Sequence, residues 1–433
     1  MNVITVIPIA RGAFVEELSY YSASTLSPGD LVEIPLRGKR TRALVMTCEN
    51  AAIHKAELKA SRFSLQRIGR VLRPAYISPA FLEAARGLAD FYVAPLSIIL
   101  SAVLPSSVLD SGESLPALLR YESEVRGERY VVSDSDEERL SLYKRIVREA
   151  FVKRRSVLVI LPTIRDAIVV SQILGRGISD SIRVVHGETE KKQIAKIIRE
   201  LSGDTALCIV GTATALSLIG GSVETLIVDR ENSTAYKSLT RPFIDMRRWG
   251  ELLCNASSVR FILGDSVLRA ESMLRIESGT LIPLIPVKTR AQTQASIHIV
   301  NMREEERSAV KKKEKGRAIG ETLGKLITET AKKEGHIVLM GARRGLAPST
   351  VCGDCGETVR CVRCKNPVVL HQLAGEYVYA CHRCGHMQEP PEGCQNCGSW
   401  KLVMLGVGTQ KAREELKERF PQVPVFSVDS DSL

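Results

Sequence analysis

Four C-x-x-C pairs lie between residues 352 and 397, and they contain eight of the chain's eleven cysteines. Two thiolates at this spacing bind one metal ion from a tight turn, and two such turns make a closed, tetrahedral, all-cysteine zinc site. Eight ligands therefore predict two zinc ions per chain, bound by the pairs Cys352/Cys355, Cys361/Cys364, Cys381/Cys384 and Cys394/Cys397.

The lengths of the segments between the pairs predict which pairs share a zinc ion. Five residues separate Cys355 from Cys361, which is too short for two turns to fold back on each other around one metal. The sixteen residues between Cys364 and Cys381 fall in the usual range for a paired site. The two middle pairs are thus predicted to bind one zinc ion, and the two outer pairs the other. A glycine follows the second cysteine of three pairs and suits a turn with positive φ: Gly356, Gly385 and Gly398.

Two alternatives remain open for these cysteines. A disulfide framework needs an oxidising compartment, and three nearby histidines are alternative ligands: His371, His382 and His386. The first residues, 1–14, contain an apolar run without a basic leader or a small-residue cleavage site, so we interpret them as a first strand and not as a signal peptide. No apolar run reaches the length of a membrane span. We therefore expect a cytoplasmic protein in a reducing setting, with zinc sites and no membrane partner.

The chain is basic, with a formal net charge of +11 and a pI near 9.1 over 433 residues. Such a balance favours an acidic partner, and nucleic acid is the commonest one. Between residues 37 and 73, ten Lys or Arg residues stand against two Glu. Part of this segment is predicted to form a β-hairpin tip that contacts a phosphate backbone, through Arg37, Lys39, Arg40 and Arg42. The alternative interpretation is a solvated loop without a partner.

Hydrophobic patterning predicts an α/β protein of several domains. Short alternating runs predict a small β-rich domain over 1–105, with a helix at 78–103, and a polar linker at 106–128. Near-continuous apolar runs separated by helix-length segments predict a doubly wound, parallel α/β domain over 129–290. An antiparallel α+β arrangement is the alternative. Further domain boundaries are predicted at 291–350, 351–398 and 399–433, with strands at 295–302, 336–345 and 423–429 and helices near 306–333 and 409–419.

These segments resemble a known family. The strongest match covers GARRGLAPSTVCGDCG, CVRCKNPVVLH, CHRCGHMQEPPEGCQNCGS, LGVGTQKAREELKERFP and VFSVDSD. Together with VIPIARGAF and SPGDLVEIPLRGKRTRALV near the amino terminus, this stretch is similar to the bacterial primosomal replication-restart helicase family. The resemblance implies an N-terminal domain that binds DNA 3′ ends, a P-loop-helicase-like lobe, and a second, here partial, helicase lobe that carries the two-zinc module.

The nucleotide motifs of that family are altered in this chain. A G-x-x-x-x-G-K-[ST] loop surrounds phosphates with backbone N–H groups, a Lys and a Mg²⁺-binding hydroxyl. Alignment places this loop at residues 133–140, SDSDEERL, which has no glycine, four carboxylates and Arg139 as a lone cation in place of the Lys. The family's D-E-E-H box corresponds to residues 229–232, DREN, and its G-S-A-T-P-S segment to residues 264–269, GDSVLR.

These departures predict that the chain does not use ATP. The chain also stops at Leu433, where the family's second lobe would continue with its remaining motifs. Two retained pairs, Gly211-Thr212 and Tyr236-Lys237, are expected to preserve a DNA-facing surface. The main hypothesis is a zinc-containing primosomal protein that binds forked or branched DNA, both single- and double-stranded, with other primosome or replisome proteins as partners and no motor of its own. The alternatives are an ATP-dependent 3′–5′ DNA helicase and a zinc-stabilised interaction protein without a DNA role.

Overall fold

A computed structural model describes residues 1–9, 17–53, 65–116, 128–203, 205–257, 259–287, 296–302, 304–305, 318–341, 346–347, 349–373, 375–382, 384–406 and 408–428. The chain divides into two compact units, residues 1–292 and 293–433. The division lies next to the predicted boundary at 290/291. The other predicted domain boundaries stay predictions.

The first unit begins with a five-stranded antiparallel sheet in the order β2-β1-β4-β3-β5. One face of this sheet is apolar and closes over its own small core, which includes Ile4, Val32 and Val45. The sheet agrees with the predicted β-rich amino-terminal region. Its strands are β1 (Asn2–Pro8), β2 (Leu18–Ser22), β3 (Leu31–Leu36), β4 (Lys39–Asn50) and β5 (Val71–Arg73).

The single helix predicted at 78–103 is two helices, α1 (Pro79–Tyr92) and α2 (Leu96–Val103). Ser78 caps α1, because its hydroxyl accepts a hydrogen bond from the Phe81 N–H. The break follows from Val93, which is left-handed with φ 49°, and from Pro95, which cannot continue a helix. In the described part of the chain no single helix has the length and apolar character of a membrane span, and α1 and α2 reach it only jointly, bent by 117°.

A seven-stranded sheet follows, in the order β12-β6-β11-β10-β7-β9-β8. Every pair of neighbouring strands is parallel, which confirms the predicted parallel α/β region and rules out the antiparallel alternative. Its strands are β6 (Arg129–Ser133), β7 (Ser156–Ile160), β8 (Ile182–Val185), β9 (Cys208–Gly211), β10 (Val223–Asp229), β11 (Arg260–Asp265) and β12 (Ile282–Pro283). The helices of this region are α3 (Ser106–Leu109), α4 (Asp136–Val152), α5 (Ile164–Leu174), α6 (Lys191–Leu201), α7 (Met246–Ser257) and α8 (Ala270–Glu277), with short 3-10 turns at Ser179–Ser181, Ala213–Leu218 and Thr234–Tyr236.

Helices cover both faces of the parallel sheet. Along β7, Leu158 and Ile160 belong to one buried cluster, whereas Val157 and Val159 belong to another. Because successive side chains of a strand point to opposite faces, the two clusters are the two sides of the sheet. The sheet is therefore doubly wound, as the uninterrupted apolar runs predicted.

The amino-terminal helices and the parallel sheet share one core. The ring of Phe81 in α1 meets the ring of Trp249 in α7 edge to face, with centroids 5.1 Å apart, and both side chains are buried. The predicted linker at 106–128 is also packed where it begins, because it forms α3 and buries Val108 and Leu115. Its residues 117–127 lie outside the described residues.

In its described residues, the second unit contains short antiparallel sheets and the helices α9 and α10. Strands β13 and β17 pair with each other, and β14, β15 and β16 form a three-stranded sheet. The predicted helix at 409–419 is confirmed as α10. The bounds are α9 (Glu321–Lys332), β13 (Ser349–Cys352), β14 (Val369–Leu373), β15 (Glu376–Ala380), β16 (Met387–Gln388), β17 (Leu402–Leu405) and α10 (Thr409–Arg419).

Three strands predicted for this unit are not strands in its described residues. The segments 296–302, 336–341 and 423–428 have no β-ladder, and several of their apolar side chains are exposed: Ile299 is 95% exposed, Met340 95% and Phe426 86%. Apolar runs of this length are stable as strands only when a neighbouring strand supplies hydrogen bonds and a covered face. The remaining residues of the three predictions, among them 342–345, lie outside the described residues, as do 306–317 of the predicted charged helix.

Candidate functional sites

The eight cysteines form two groups of four. Cys352, Cys355, Cys394 and Cys397 make one group and Cys361, Cys364, Cys381 and Cys384 the other, with the four sulfurs of each group within 4.8 Å of one another. This is the nested grouping that the segment lengths predicted. The inner group is the more enclosed, since Cys361 and Cys381 are buried and Cys364 and Cys384 half-buried.

The sulfur spacing fits a tetrahedral metal ion in each group. With Zn–S bonds of about 2.3 Å, the sulfurs of a tetrahedron lie roughly 3.8 Å apart. The observed distances are close to this value: 3.6 Å for Cys352 to Cys397 and 3.6 Å for Cys355 to Cys394. In the inner group the distance from Cys361 to Cys384 is 3.7 Å. Such distances exceed the roughly 2.05 Å of a disulfide bond, so the geometry does not support a disulfide framework.

The same backbone turn carries each pair. The carbonyl of the first cysteine accepts a hydrogen bond from the N–H four residues later: Gly356 to Cys352 at 2.9 Å, Lys365 to Cys361 at 2.9 Å, Gly385 to Cys381 at 2.9 Å and Gly398 to Cys394 at 2.8 Å. The donor is in the left-handed region in every turn, with φ of 74°, 61°, 71° and 74° in that order. The predicted role of the three glycines is confirmed. Lys365 performs the same role without being glycine, which the sequence pattern did not reveal.

The backbone N–H groups of these turns also affect the pKa values of the thiols. The backbone N–H of Cys355 lowers the pKa of Cys352 to about 6. The backbone N–H of Ser399 lowers the pKa of Cys397, but its neighbouring sulfurs Cys355 and Cys352 outweigh this and raise it to about 12. One thiol therefore ionises easily while another in the same group resists, because thiolates so close together repel each other. A divalent cation at the centre removes this repulsion, which is the chemistry of a structural zinc site.

The nearby histidines lie outside both groups. The Nε2 atom of His371 is 3.0 Å from the Nε2 atom of His382, and His371 is buried. His386 contributes its carbonyl, which accepts a hydrogen bond from the Cys381 N–H at 2.9 Å. With four cysteines in each group, the alternative of histidine ligands has no support among the described residues.

A second site lies where the parallel strands end. The carboxyl ends of β6, β10 and β11 are neighbours: Ser133 pairs with Asp265, and Asp229 pairs with Gly264. This edge is where ligands bind in open α/β sheets. It unites the three segments that the family resemblance assigned to nucleotide chemistry. The segment 133–140 is not an open loop, however, because Ser135 caps α4 and the helix begins at Asp136.

Arg139 fills this edge. Its Nε donates to Oδ1 of Asp229 at 2.9 Å and its Nη2 to Oδ2 at 3.3 Å. Arg139 is only 1% exposed and Asp229 2%. Burial would lower the pKa of Arg139, but the hydrogen bonds and charge of Asp229 raise it above its usual range. Arg139 is therefore a permanently charged, fully paired group, and its interpretation as a lone cation in an acidic loop was wrong.

Tyr143 occupies the remaining space beside Asp229. Its hydroxyl donates to Oδ1 of Asp229 at 2.8 Å, and its side chain is fully buried. A Cβ on Gly264 would lie 1.8 Å from this hydroxyl, so glycine is needed here for close approach. Burial, followed by the charge of Asp229, raises the pKa of Tyr143 well above its ordinary value. The tyrosine is thus a fixed neutral donor.

A second arginine covers the outside of this edge. Arg230 donates to Asp166 at 2.5 Å and to Asp136 at 3.1 Å. Asp136 also accepts from Arg139 at 2.8 Å. Three carboxylates, those of Asp136, Asp166 and Asp229, are thus held by two guanidinium groups.

Other family-aligned residues are structural. Glu231 is fully buried, its Oε1 accepts a hydrogen bond from the Arg269 N–H at 2.7 Å, and burial raises its pKa. Tyr236 is 1% exposed, and its hydroxyl lies 2.6 Å from the Asp229 carbonyl. The expectation of a DNA-facing Tyr236 was therefore wrong. Gly211 is also enclosed, since an added Cβ would lie 2.1 Å from the Val185 carbonyl oxygen.

The basic cluster lies on the hairpin of β3 and β4, as predicted. Its two-residue turn is Arg37-Gly38, both with positive φ (51° and 76°), which matches the right-handed twist of the strands. Arg37 and Lys39 are exposed. Arg40 pairs with Glu33 at 3.2 Å and is 81% exposed, whereas Arg42 pairs with Asp110 at 2.5 Å and is 42% exposed. Arg37, Lys39 and Arg40 are largely exposed to solvent, whereas Arg42 is held more firmly by its ion pair with Asp110. A DNA contact by the four stays a prediction.

Comparison with known proteins finds replication restart proteins among the relatives of this chain. No family model matches the chain. The chain is 27% identical to the replication restart protein PriA of Haemophilus influenzae over 297 residues, which are 67% of this chain and 39% of that protein. It is 24% identical to PriA of Treponema pallidum over 394 residues, 86% of this chain and 58% of the relative. With PriA of Helicobacter pylori it shares 22% identity over 426 residues, 96% of this chain and 64% of the relative.

The chain thus spans between 39% and 64% of the length of these three relatives. Among solved structures, the C-terminal domain of S. cerevisiae Dbp5 bound to Gle1 and IP6 aligns with 36% of this chain at 11% identity and a TM-score of 0.25. That similarity is too low to support an argument. The matches to PriA over as much as 96% of the chain support a PriA-like family.

Proposed function

We propose that the chain is a cytoplasmic replication-restart protein that binds forked or branched DNA and does not hydrolyse ATP. The similarity to replication restart proteins over most of the chain supports the process. The net charge of +11 supports an acidic polymer as partner. Other primosome or replisome proteins would assemble on the DNA-bound chain.

The absence of a motor rests on one observation, the ion pair of Arg139 with Asp229. A nucleotide-bound Mg²⁺ needs a carboxylate that is free to receive it. Here both oxygens of Asp229 already accept from the same guanidinium, at 2.9 Å and 3.3 Å, in a buried site. Displacing Arg139 would leave a buried charge unpaired, at a cost of about 3–5 kcal/mol. The ion pair therefore occupies the position of the metal and leaves Asp229 no free oxygen with which to bind one.

The two cysteine groups are proposed to bind one zinc ion each. Cys352, Cys355, Cys394 and Cys397 would hold one ion, and Cys361, Cys364, Cys381 and Cys384 the other. A site with four protein thiolates leaves no open coordination position. The ions would therefore stabilise the fold of this module and carry no reaction.

The hairpin of β3 and β4 is the proposed DNA contact. Its turn and first strand residues are exposed and cationic, and lysine and arginine on such a tip reach a phosphate backbone. Arg42 is proposed as the residue at the base of this contact, held in place by Asp110 at 2.5 Å.

Two measurements on the purified chain test the proposal. DNA binding is measured by fluorescence anisotropy with a forked duplex and a blunt duplex of equal length across a salt series. We expect tighter binding to the fork and a linear fall of log K with log salt. Equal affinity for both substrates would overturn the assignment to forks, and binding without salt dependence would overturn the phosphate contact.

The second measurement is DNA-stimulated ATP hydrolysis. We expect no turnover above the level without protein. DNA-stimulated turnover by the wild-type chain would overturn this part of the proposal and favour the ATP-dependent helicase.

A further inference from the structure

Three arginines from separate elements surround one carboxylate at the amino end of the parallel sheet. Glu251 in α7 accepts a hydrogen bond from Arg275 in α8 at 2.5 Å, and its Oε1 also forms an ion pair with Nε of Arg129, which begins β6, at 2.9 Å. Arg248, one turn before it in α7, lies 3.3 Å from its other oxygen. Glu251 is central and 5% exposed, whereas the arginines are 29–39% exposed.

This cluster carries more positive charge than is needed to neutralise its buried carboxylate. One guanidinium is enough to pair a buried carboxylate, and here three of them face the same one. The cluster of Arg129, Arg248 and Arg275 around Glu251 therefore has a net charge of +2. Because its donors are rigid, planar and partly open to solvent, they are arranged for an anion with several acceptor oxygens, such as a phosphate.

An exposed aromatic ring lies beside the cluster. The guanidinium carbon of Arg248 is 5.2 Å from the ring centroid of Phe91, at the end of α1. Phe91 is 59% exposed, and the Tyr92 ring contacts it edge to face at 5.0 Å. The ring is therefore held in position without being buried. A large apolar ring in this state costs free energy in water unless a partner covers it.

We propose that Arg129, Arg248 and Arg275, together with Phe91, bind single-stranded DNA. Cationic groups that follow a phosphate backbone next to an aromatic ring that stacks on a base are the physical requirements for binding a single strand. A duplex keeps its bases stacked inside and offers nothing to the ring. The inference rests on the proposed DNA-binding function and assigns one arm of the forked substrate to a surface separate from the β3–β4 hairpin.

The test is anisotropy of the full chain with a labelled oligothymidine across a salt series. Arg248→Gln leaves Glu251 paired with Arg129 and Arg275, so folding should be preserved. We expect it to reduce the slope of log K against log salt by about 0.7 per lost phosphate contact. Arg176→Gln removes an exposed arginine from the turn after α5 and is the matched control, with binding unchanged.

The aromatic contact has its own test. Phe91→Ala changes no charge and should lower affinity for the oligothymidine by about tenfold with an unaltered salt slope, while Phe91→Tyr should retain wild-type affinity. Affinity for a blunt duplex should stay the same in both variants. If Arg248→Gln or Phe91→Ala binds the single strand as tightly as wild type, the proposed surface is wrong.

The outcomes separate this inference from the function on which it rests. A wild-type chain that binds no DNA at low salt would overturn both. A chain whose fork binding depends on the β3–β4 hairpin, but whose single-strand binding is unaffected by Phe91→Ala and Arg248→Gln, would retain the proposed function and exclude only the second surface.

Discussion

The guanidinium of Arg139 contacts both carboxylate oxygens of Asp229, although the two residues lie 90 positions apart in the chain. Because both residues are buried, removing only one of them would strongly lower the stability of the protein. The family resemblance implies that these two positions correspond to the lysine and the first aspartate of the nucleotide motifs, and we propose that a charge pair stands here in place of a nucleotide and its metal.

Removing one member of this pair should destabilise the protein strongly. Arg139→Met leaves Asp229 without its cation and should lower the free energy of unfolding by about 3–5 kcal/mol. The double variant Arg139→Met, Asp229→Asn removes both charges and keeps an acceptor for Tyr143, so we expect it to be more stable than Arg139→Met by about 1–3 kcal/mol. Urea unfolding of the variants measures both effects.

An exposed pair serves as the control for this experiment. Lys153 and Glu224 are 3.4 Å apart at the surface, and Lys153→Met should change stability by less than about 1 kcal/mol. Purely additive effects of the two core substitutions would contradict a coupled buried pair.

The two proposed metal centres should be separable by mutation. We expect two zinc ions per wild-type chain by mass spectrometry of the metal, and one in Cys361→Ser. Because the groups are nested, Cys352→Ser combined with Cys397→Ser should still retain one ion, whereas Cys352→Ser combined with Cys361→Ser should retain none.

A sequential pairing of the four C-x-x-C turns would reverse the results for the two double variants. Cys48 belongs to neither group, so Cys48→Ser is the control and should keep both ions. Loss of the inner ion should also lower the melting temperature of the module, since structural zinc binding is coupled to folding.

The hairpin turn allows removal of charge without strain. Arg37 has φ 51°, a conformation that glycine adopts readily, so Arg37→Gly should keep the turn. Combined with Lys39→Gln, it should reduce the salt slope for duplex DNA by about 1.8, or about 0.9 for each lost phosphate contact. Lys192→Gln, which removes an exposed lysine from α6, should leave the slope unchanged. An unaltered slope in the hairpin variant would show that the tip does not touch the backbone.

Asp110 should make stability depend on pH in the acid range. Hydrogen bonds from Lys191, and then from Arg42, lower the pKa of this carboxyl below its usual value. Its contribution is complete above the ordinary carboxyl pKa and is lost as the pH falls through the lowered one. Asp110→Asn should therefore be less stable than wild type at pH 6, by about 1 kcal/mol or less, and the difference should vanish towards pH 2.

Unfolding curves at several pH values measure this difference. Asp90→Asn removes an exposed carboxylate from α1 and leaves the Arg42 and Lys191 contacts intact, so it serves as the control. A difference between wild type and Asp110→Asn that persists at pH 2 would contradict the ion-pair origin.

Much of this structure is predictable from local sequence. Runs such as SVLVI at Ser156–Ile160 are apolar on both strand faces, which only a sheet covered on both sides accommodates. The cysteine grouping followed from segment length alone. These features depend on spacing and patterning within short stretches, and sequence carries both directly.

The features that sequence did not predict depend on distant contacts. Predicting the buried position of Arg139 would have required knowing that Asp229 lies beside it. Nothing within residues 133–140 indicates this contact. Lys365 adopts φ 61° because the turn imposes it, although glycine holds this position in the other three turns. The segments 336–341 and 423–428 have the composition of strands but no neighbouring strand in the described residues, and composition alone does not predict pairing.

The contact of Phe81 with Trp249 has a mechanical consequence. A hinge requires two cores that move independently, and these rings belong to the same one. A force applied to the β3–β4 hairpin would therefore be transmitted through α1 to the parallel sheet with little bending between them. The amino-terminal sheet would therefore move together with the parallel sheet as one rigid body when a strand is bound, and would not rotate independently of it.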